Sequence, residues 1–159
     1  MGDTFTDTWY LLRCRQNYWQ IVQQNLHEVG LNTCCPLILE RKKRSDRKNC
    51  FRLKNAPAFP GYIFVEFNPV NIHTSTIKKI PGAMDFVKFG NKIATISHRE
   101  IEALKLLHHE VGSHEIHVPQ ELAKQIGKII SSKNPGERID ALFSMLAPPS
   151  RTLRSNNAN

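Results

Sequence analysis

A chain of 159 residues with 40% hydrophobic content holds one full domain and a small appendage, or two small domains. No stretch approaches the ~18 apolar residues of a membrane span, and the N-terminus lacks a charged segment followed by an apolar run, so neither a membrane partner nor a signal peptide is expected. With 22 Lys and Arg against 14 Asp and Glu the formal net charge is +8, which favours a polyanionic partner, nucleic acid ahead of membrane.

Residues 8–14 (TWYLLRC) predict a first strand. Over 15–29 the apolar spacing turns helical, with Trp19, Val22, Leu26 and Val29, and Gly30 suits the position just past the helix end. Residues 32–43 (NTCCPLILERKK) predict a second strand that runs into charge, and 58–67 a third. In the third, Tyr62, Phe64 and Glu66 alternate with Ile63, Val65 and Phe67. One face therefore serves the core, and the other offers two aromatic rings and a carboxylate to something else. Asn68-Pro69 opens a predicted helix with the stripe Ile72, Thr76, Ile77 and Ile80, ended by Pro81-Gly82. Short strands are expected over 84–90 and 92–96. Ser97 to Glu100 has the capping-box pattern, and the helix it opens carries Ile101, Leu104, Leu107 and Val111.

That order, β-α-β-β-α-β-α, predicts an α+β fold of two layers with a mainly antiparallel sheet, a domain over 1–111 with its core in 8–111. Residues 112–118 read as a linker. Two amphipathic helices over 119–131 (Leu122, Ile126, Ile129) and 136–147 (Ile139, Leu142, Phe143, Leu146) make a helical hairpin, and the polar tail 148–159 is expected to be disordered.

Chemistry-bearing groups are sparse. Cys14, Cys34, Cys35 and Cys50 lack C-x-x-C spacing and read as small apolar residues of a reduced chain. His108, His109, His114 and His117 form no closed set of metal ligands. In NIHTST (71–76) no carboxylate is positioned beside the histidine and no G-x-S-x-G elbow occurs, so hydroxyl groups there suit helix capping. No catalytic set, cofactor or metal is expected. Residues 41–54 (RKKRSDRKNCFRLK) hold eight Lys and Arg and one Asp. A solvated hairpin tip is the plain account. A positive arm that neutralises phosphates without reading bases, through Arg41, Lys42, Lys43 and Arg44, is the favoured one.

The stretches WYLLRCR (9–15), FPGYIFVEF (59–67), IHTSTIKKIPG (72–82) and DFVKFG (85–90) together resemble the N-terminal domain of NusG-type transcription elongation factors, over about residues 8–110. The Ile-His-Thr-x-Thr and Phe-Val-Lys-Phe-Gly stretches are similar to its RfaH-like branch of specialised antiterminators. The resemblance implies a cytoplasmic protein that binds bacterial RNA polymerase and suppresses pausing and termination with no chemical step. It implies that Tyr62, Phe64 and Ile101 meet the polymerase clamp helices, that His73, Thr74 and Ser75 meet the gate loop, and that Arg15, Gln16, Tyr18 and Asn25 contact non-template DNA. Ile21, Glu28 and Val29 stand where that branch carries polar and basic DNA contacts. The G-x-x-V-x-V-x-x-G-x-F-x-G core of the family's C-terminal barrel (the KOW barrel) does not occur after residue 113. A helical hairpin is expected in its place, docked on the Tyr62, Phe64 and Ile101 face, and ribosome recruitment, which is the barrel's role, stays open. The rival reading is a stand-alone nucleic-acid-binding α+β module whose aromatics stack on bases with no polymerase contact. A small Cys or His hydrolase stands a distant third.

Overall fold

The computed structural model describes residues 7–105 and 120–147. Its central sheet has the order β2-β5-β1-β6, built from β1 (Thr8–Cys14), β2 (Asn32–Cys34), β5 (Tyr62–Phe67) and β6 (Ala83–Phe86), with β9 (Thr95–Ile96) also on β1. Every pairing is antiparallel. The β1–β5 register sets Leu11 opposite Phe64 and Leu12 opposite Ile63, so each face of the sheet inherits one half of the alternation.

Both halves are apolar, and both faces are covered. Leu12, Cys14, Ile63, Val65, Phe67 and Phe86 pack with Val22 and Leu26 of α1 (Trp19–Glu28) and Ile77 of α2 (Thr74–Lys78). Trp9, Leu11, Phe64, Cys34 and Ile96 pack with Ile101 and Leu104 of α3 (His98–Lys105). The same cluster takes in Ile126 and Ile129 of α4 (Gln120–Ser131) and Leu142 of α5 (Pro135–Leu146). The expected mixed α+β class with an antiparallel sheet is what forms, and the helical hairpin extends the cover of the second face. Among the described residues, the buried Trp9 Nε1 has no hydrogen-bond partner, and Lys105 Nζ lies 5.7 Å from its ring centroid.

Several boundaries differ from the sequence expectation. Pro36 divides the second strand into β2 and β3 (Leu37–Lys43), because proline has no N–H to give a ladder. Its carbonyl instead accepts the Ala58 N–H at 2.8 Å. A strand not expected, β4 (Phe51–Pro57), pairs with β3 from Leu37↔Pro57 to Lys43↔Phe51. Half of the basic run, residues 41–43 and 51–54, thus forms the outer rungs of a long arm, and residues 44–50 make its tip. Phe59-Pro60-Gly61-Tyr62 then closes a turn through Tyr62 N–H to Phe59 O at 3.1 Å, with Gly61 at φ +88° where a side chain is disfavoured.

The helix expected from Asn68-Pro69 begins later. Asn68 Oδ1 accepts from Val70 N at 2.9 Å, a local turn that competes with helix, and α2 starts only after His73. Residues 84–90 and 92–96 divide into β6, β7 (Lys88–Phe89), β8 (Lys92–Ile93) and β9. The cap of α3 forms: Ser97 Oγ accepts from Glu100 N at 3.2 Å and donates to Glu100 Oε1 at 2.8 Å. Asn134 caps α5 through Gly136 N at 2.8 Å, with Pro135 in the first turn. The expected linker 112–118, the tail 148–159, Leu107, Val111 and the histidines at 108, 109, 114 and 117 lie outside the described residues.

Candidate functional site

Tyr62 and Phe64 of β5 and Ile101 of α3, the candidate clamp residues of the sequence, belong to one apolar cluster on one side of the sheet. Phe64 and Ile101 are both 0% exposed, and Tyr62 is half-buried. Phe143 of α5 stands edge-on to Tyr62, with ring centroids 5.5 Å apart at 88°. It makes a second edge contact with Phe89 at 6.2 Å, and Phe59 meets Phe64 in the same manner at 6.4 Å. Edge-to-face pairs match the positive rim of one ring to the negative face of another, which fixes geometry as well as burying area. The two short helices are marginal on their own in water, so this apolar face supplies what keeps them folded.

One polar group seals the contact. Arg138 is 3% exposed, donating from Nε to Ala58 O at 2.8 Å and from Nη1 to Ser132 O at 2.9 Å. One bond reaches the body and the other reaches the loop between α4 and α5, so a single guanidinium ties both parts. Burial holds its pKa below the usual arginine value, and the nearby carboxylate of Glu40 on β3 opposes that shift. Sequence reading missed Arg138. The available signal was its place in the apolar stripe, directly before Ile139 and four residues before Leu142.

The other expected groups lie elsewhere on the surface. His73 caps α2: Nδ1 accepts from Ser75 N at 3.1 Å and lies 2.7 Å from Ser75 Oγ. Accepting the amide requires an unprotonated Nδ1, so the ring presents Nε2 outward. His73 and Ser75 are exposed and Thr74 is half-buried. Arg15, Gln16 and Tyr18 are exposed around the 3-10 turn Gln16–Tyr18 that leads into α1, and Asn25 is half-buried one face along. Ile21 on the same helix and Val29 just past its end are exposed, leaving that surface partly apolar. Gly82 packs tightly below Tyr18 and Val22. In the arm, Lys43 is exposed and Arg44 is held by Asp46 through Nε–Oδ1 at 2.9 Å and Nη2–Oδ2 at 2.7 Å. Arg41 and Lys42 occupy the rungs opposite Leu53 and Arg52.

Three of the four thiols are poor nucleophiles. Burial pushes Cys14 and Cys34 up to about 11 and Cys35 up to about 12, which holds all three protonated at neutral pH. Among the described residues no cluster of three or more His, Cys, Asp or Glu side chains could hold a metal ion, and no helix is long and apolar enough to cross a membrane.

Residues 7–105 match the family model described as transcription termination factor nusG. The chain belongs to the NusG family of transcription factors. A solved structure of Thermotoga maritima NusG, described as showing domain interaction, is similar at 20% identity with a TM-score of 0.44. The similarity covers 69% of this chain and 63% of that one, so this chain spans less than two thirds of its length.

Proposed function

We propose that the protein is an RfaH-like elongation and antitermination factor that works by binding alone. Tyr62, Phe64 and Ile101 form the surface for the clamp helices of RNA polymerase. His73, Thr74 and Ser75 reach the gate loop, and Arg15, Gln16, Tyr18 and Asn25, with the β3–β4 arm, contact DNA. Holding both sides of the DNA channel keeps the clamp closed, which suppresses pausing and termination.

The observation that carries this reading is the cover over that surface. Phe143 stands against Tyr62, and Leu142, Ile126 and Ile129 share one buried cluster with Phe64 and Ile101. A sheet face this apolar needs a partner, and the hairpin is the partner at hand. The described conformation is therefore the closed, autoinhibited form, and recruitment to polymerase displaces α4 and α5. Phe64 is buried in the closed form under either reading, and the rival in which Tyr62 and Phe64 stack on bases differs in expecting the shortened chain to bind oligonucleotides with no polymerase present.

Affinity for isolated clamp helices, full chain against a chain lacking residues 113–159, tests the reading. The shortened chain is expected to bind at least tenfold tighter and to lengthen transcripts on a paused template without a recruitment signal. Equal affinities exclude masking, and no effect on transcripts by either chain excludes the function.

A further inference from the structure

The arm of β3 and β4 is a sheet of two strands, and among the described residues the outer edge of β4 carries no third. The ladder's two ends show which backbone groups point along that edge. Arg44 N donates to Cys50 O at 2.9 Å, and Ala58 N donates to Pro36 O at 2.8 Å. Between such ends, bonded and non-bonded pairs alternate in an antiparallel ladder. Ile38/Ala56, Glu40/Lys54 and Lys42/Arg52 are therefore the bonded pairs. Phe51, Leu53 and Asn55 turn their N–H and C=O groups outward, and Pro57 ends the series because it has no N–H. Among the described residues, Leu53 and Asn55 meet no backbone partner on that side.

Side chains along the same edge alternate in chemistry. Arg52 and Lys54 point to one face, Leu53 and Asn55 to the other, and all four are exposed. Glu40, the rung partner of Lys54, puts one carboxylate on the cationic face, and its charge also bears on Arg138. On the opposite face Leu53 is 68% exposed, and its diagonal neighbour Leu39 is 52% exposed. A two-stranded ribbon is marginal in water and gains stability from a third strand. Charge on an edge ordinarily keeps incoming strands away. Here the edge charge is of one sign and lies on one face. It rejects the same edge of a second copy, which would set Arg52 and Lys54 against their like, and it favours a strand that brings carboxylates to that face.

We propose that the outer edge of β4 takes up an extended acidic segment of a protein partner as a third strand. Backbone bonds to Leu53 and Asn55 align the segment, its carboxylates lie beside Arg52 and Lys54, and its apolar side chains cover Leu53. The partner's signature is thus a run in which acidic and apolar residues alternate. In antiparallel pairing, Arg52 and Lys54 fall at non-bonded positions with the incoming strand, where Cα atoms approach to about 4.5 Å and side chains meet most closely. Main-chain bonds supply affinity in this mode, and alternate side chains supply selectivity. Nucleic acid offers phosphates to the cations but no peptide ladder for the edge. The assignment is independent of the clamp and gate-loop contacts.

The probe is a labelled synthetic peptide of about eight residues in which Glu and Val alternate, titrated with the full chain by fluorescence anisotropy. Its control has the same composition with all the Glu residues in one block. The alternating peptide is expected to bind about tenfold tighter, the worth of roughly one strand hydrogen bond. Asn55→Pro removes an outward donor while the bonded pairs with β3 stay in place, and it should lower affinity about tenfold. Arg52→Gln with Lys54→Gln should lower it too and flatten its salt dependence. Amide exchange followed by NMR gives a reading that charge attraction alone does not produce. At saturation the Leu53 and Asn55 amides should slow about tenfold or more, while those of Arg52 and Lys54, already in the ladder, change little. No binding of the alternating peptide, equal affinity for both peptides, wild-type affinity in Asn55→Pro, or unslowed Leu53 and Asn55 amides each overturn strand addition. A single-stranded oligonucleotide that slows the same two amides as strongly overturns the choice of a peptide. Slowing in the free protein that grows with its concentration gives the edge to a second copy and overturns the acidic partner.

Discussion

Replacing Arg138 with methionine keeps a long unbranched side chain on α5 and deletes the guanidinium that donates to Ala58 O and Ser132 O. Ala58 is fully buried, so the carbonyl loses its bond to α5 where water does not reach it. Hydrogen bonds from a charged donor contribute about 1.5–3 kcal/mol each. Methionine recovers part of the loss, because a buried guanidinium carries a desolvation cost, the same cost that depresses its pKa. A net weakening of about 2 kcal/mol multiplies the undocked population roughly 30-fold. Native-state amide hydrogen exchange reads this directly. Protection across α4 and α5 should fall roughly 30-fold while β1 and β5 amides keep theirs, because a local opening leaves the sheet intact. Unchanged protection in the hairpin would refute the view that Arg138 holds it. A parallel fall in β1 and β5 would show that hairpin and body unfold as one unit, which removes the basis for a displaceable cover.

Tyr62→Ala, made in the chain lacking residues 113–159 so that the contact with Phe143 plays no part, should weaken binding to clamp helices by about 2 kcal/mol, as a central aromatic anchor does. Titration calorimetry that finds wild-type affinity removes Tyr62 from the interface. Gly82→Ala would place a Cβ 2.7 Å from Val22 Cγ2 and 3.0 Å from Tyr18 Cβ at φ +88°. The cost is about 1–3 kcal/mol, and an unaltered thermal midpoint contradicts it. The Cys34 thiol ionises near 9.0 when unfolded and near about 11 when folded, so its stabilising effect is full below pH 9 and drains away as pH rises through that window. Cys34→Ala should therefore flatten the alkaline loss of stability by up to about 1.4 kcal/mol per pH unit. Identical urea midpoints for both proteins at about pH 8 and about pH 10, after correction for their offset, would sink the assignment.

What the sequence made legible followed from how many sides of an element are buried. Residues 62–67 declared a strand because both of its faces are filled, and their strict alternation also separated the two clusters correctly. The Ser97–Glu100 cap was readable because capping is local chemistry. β4 went unseen for the opposite reason. Its rungs from Phe51 to Asn55 are all exposed, so no burial imposed a pattern on them, and pairing with β3 is a long-range fact. The start of α2 was misplaced because Asn68 spends its side chain on a turn, an outcome that the following proline does not reveal. Arg138 stayed hidden since arginine on an amphipathic helix ordinarily lies in water, and only the tertiary contact with Ala58 makes it internal. The candidate clamp residues were found through the resemblance, and the ring geometry that covers them came from the fold.

The indole of Trp9 gives the molecule an optical reporter of its own opening. Its N–H is buried and unanswered among the described residues, in the same cluster as Ile126, Ile129 and Leu142. An indole in that setting emits at short wavelength, and one reached by water relaxes to longer wavelength. Displacing α4 and α5 would strip Ile126, Ile129 and Leu142 from that cluster, and a red shift of Trp9 emission is the expected sign that water has entered it. Trp19 belongs to the cluster on the opposite side of the sheet and provides a constant background in the same cuvette. The exchange between covered and free forms can thus be followed in real time without attaching a dye.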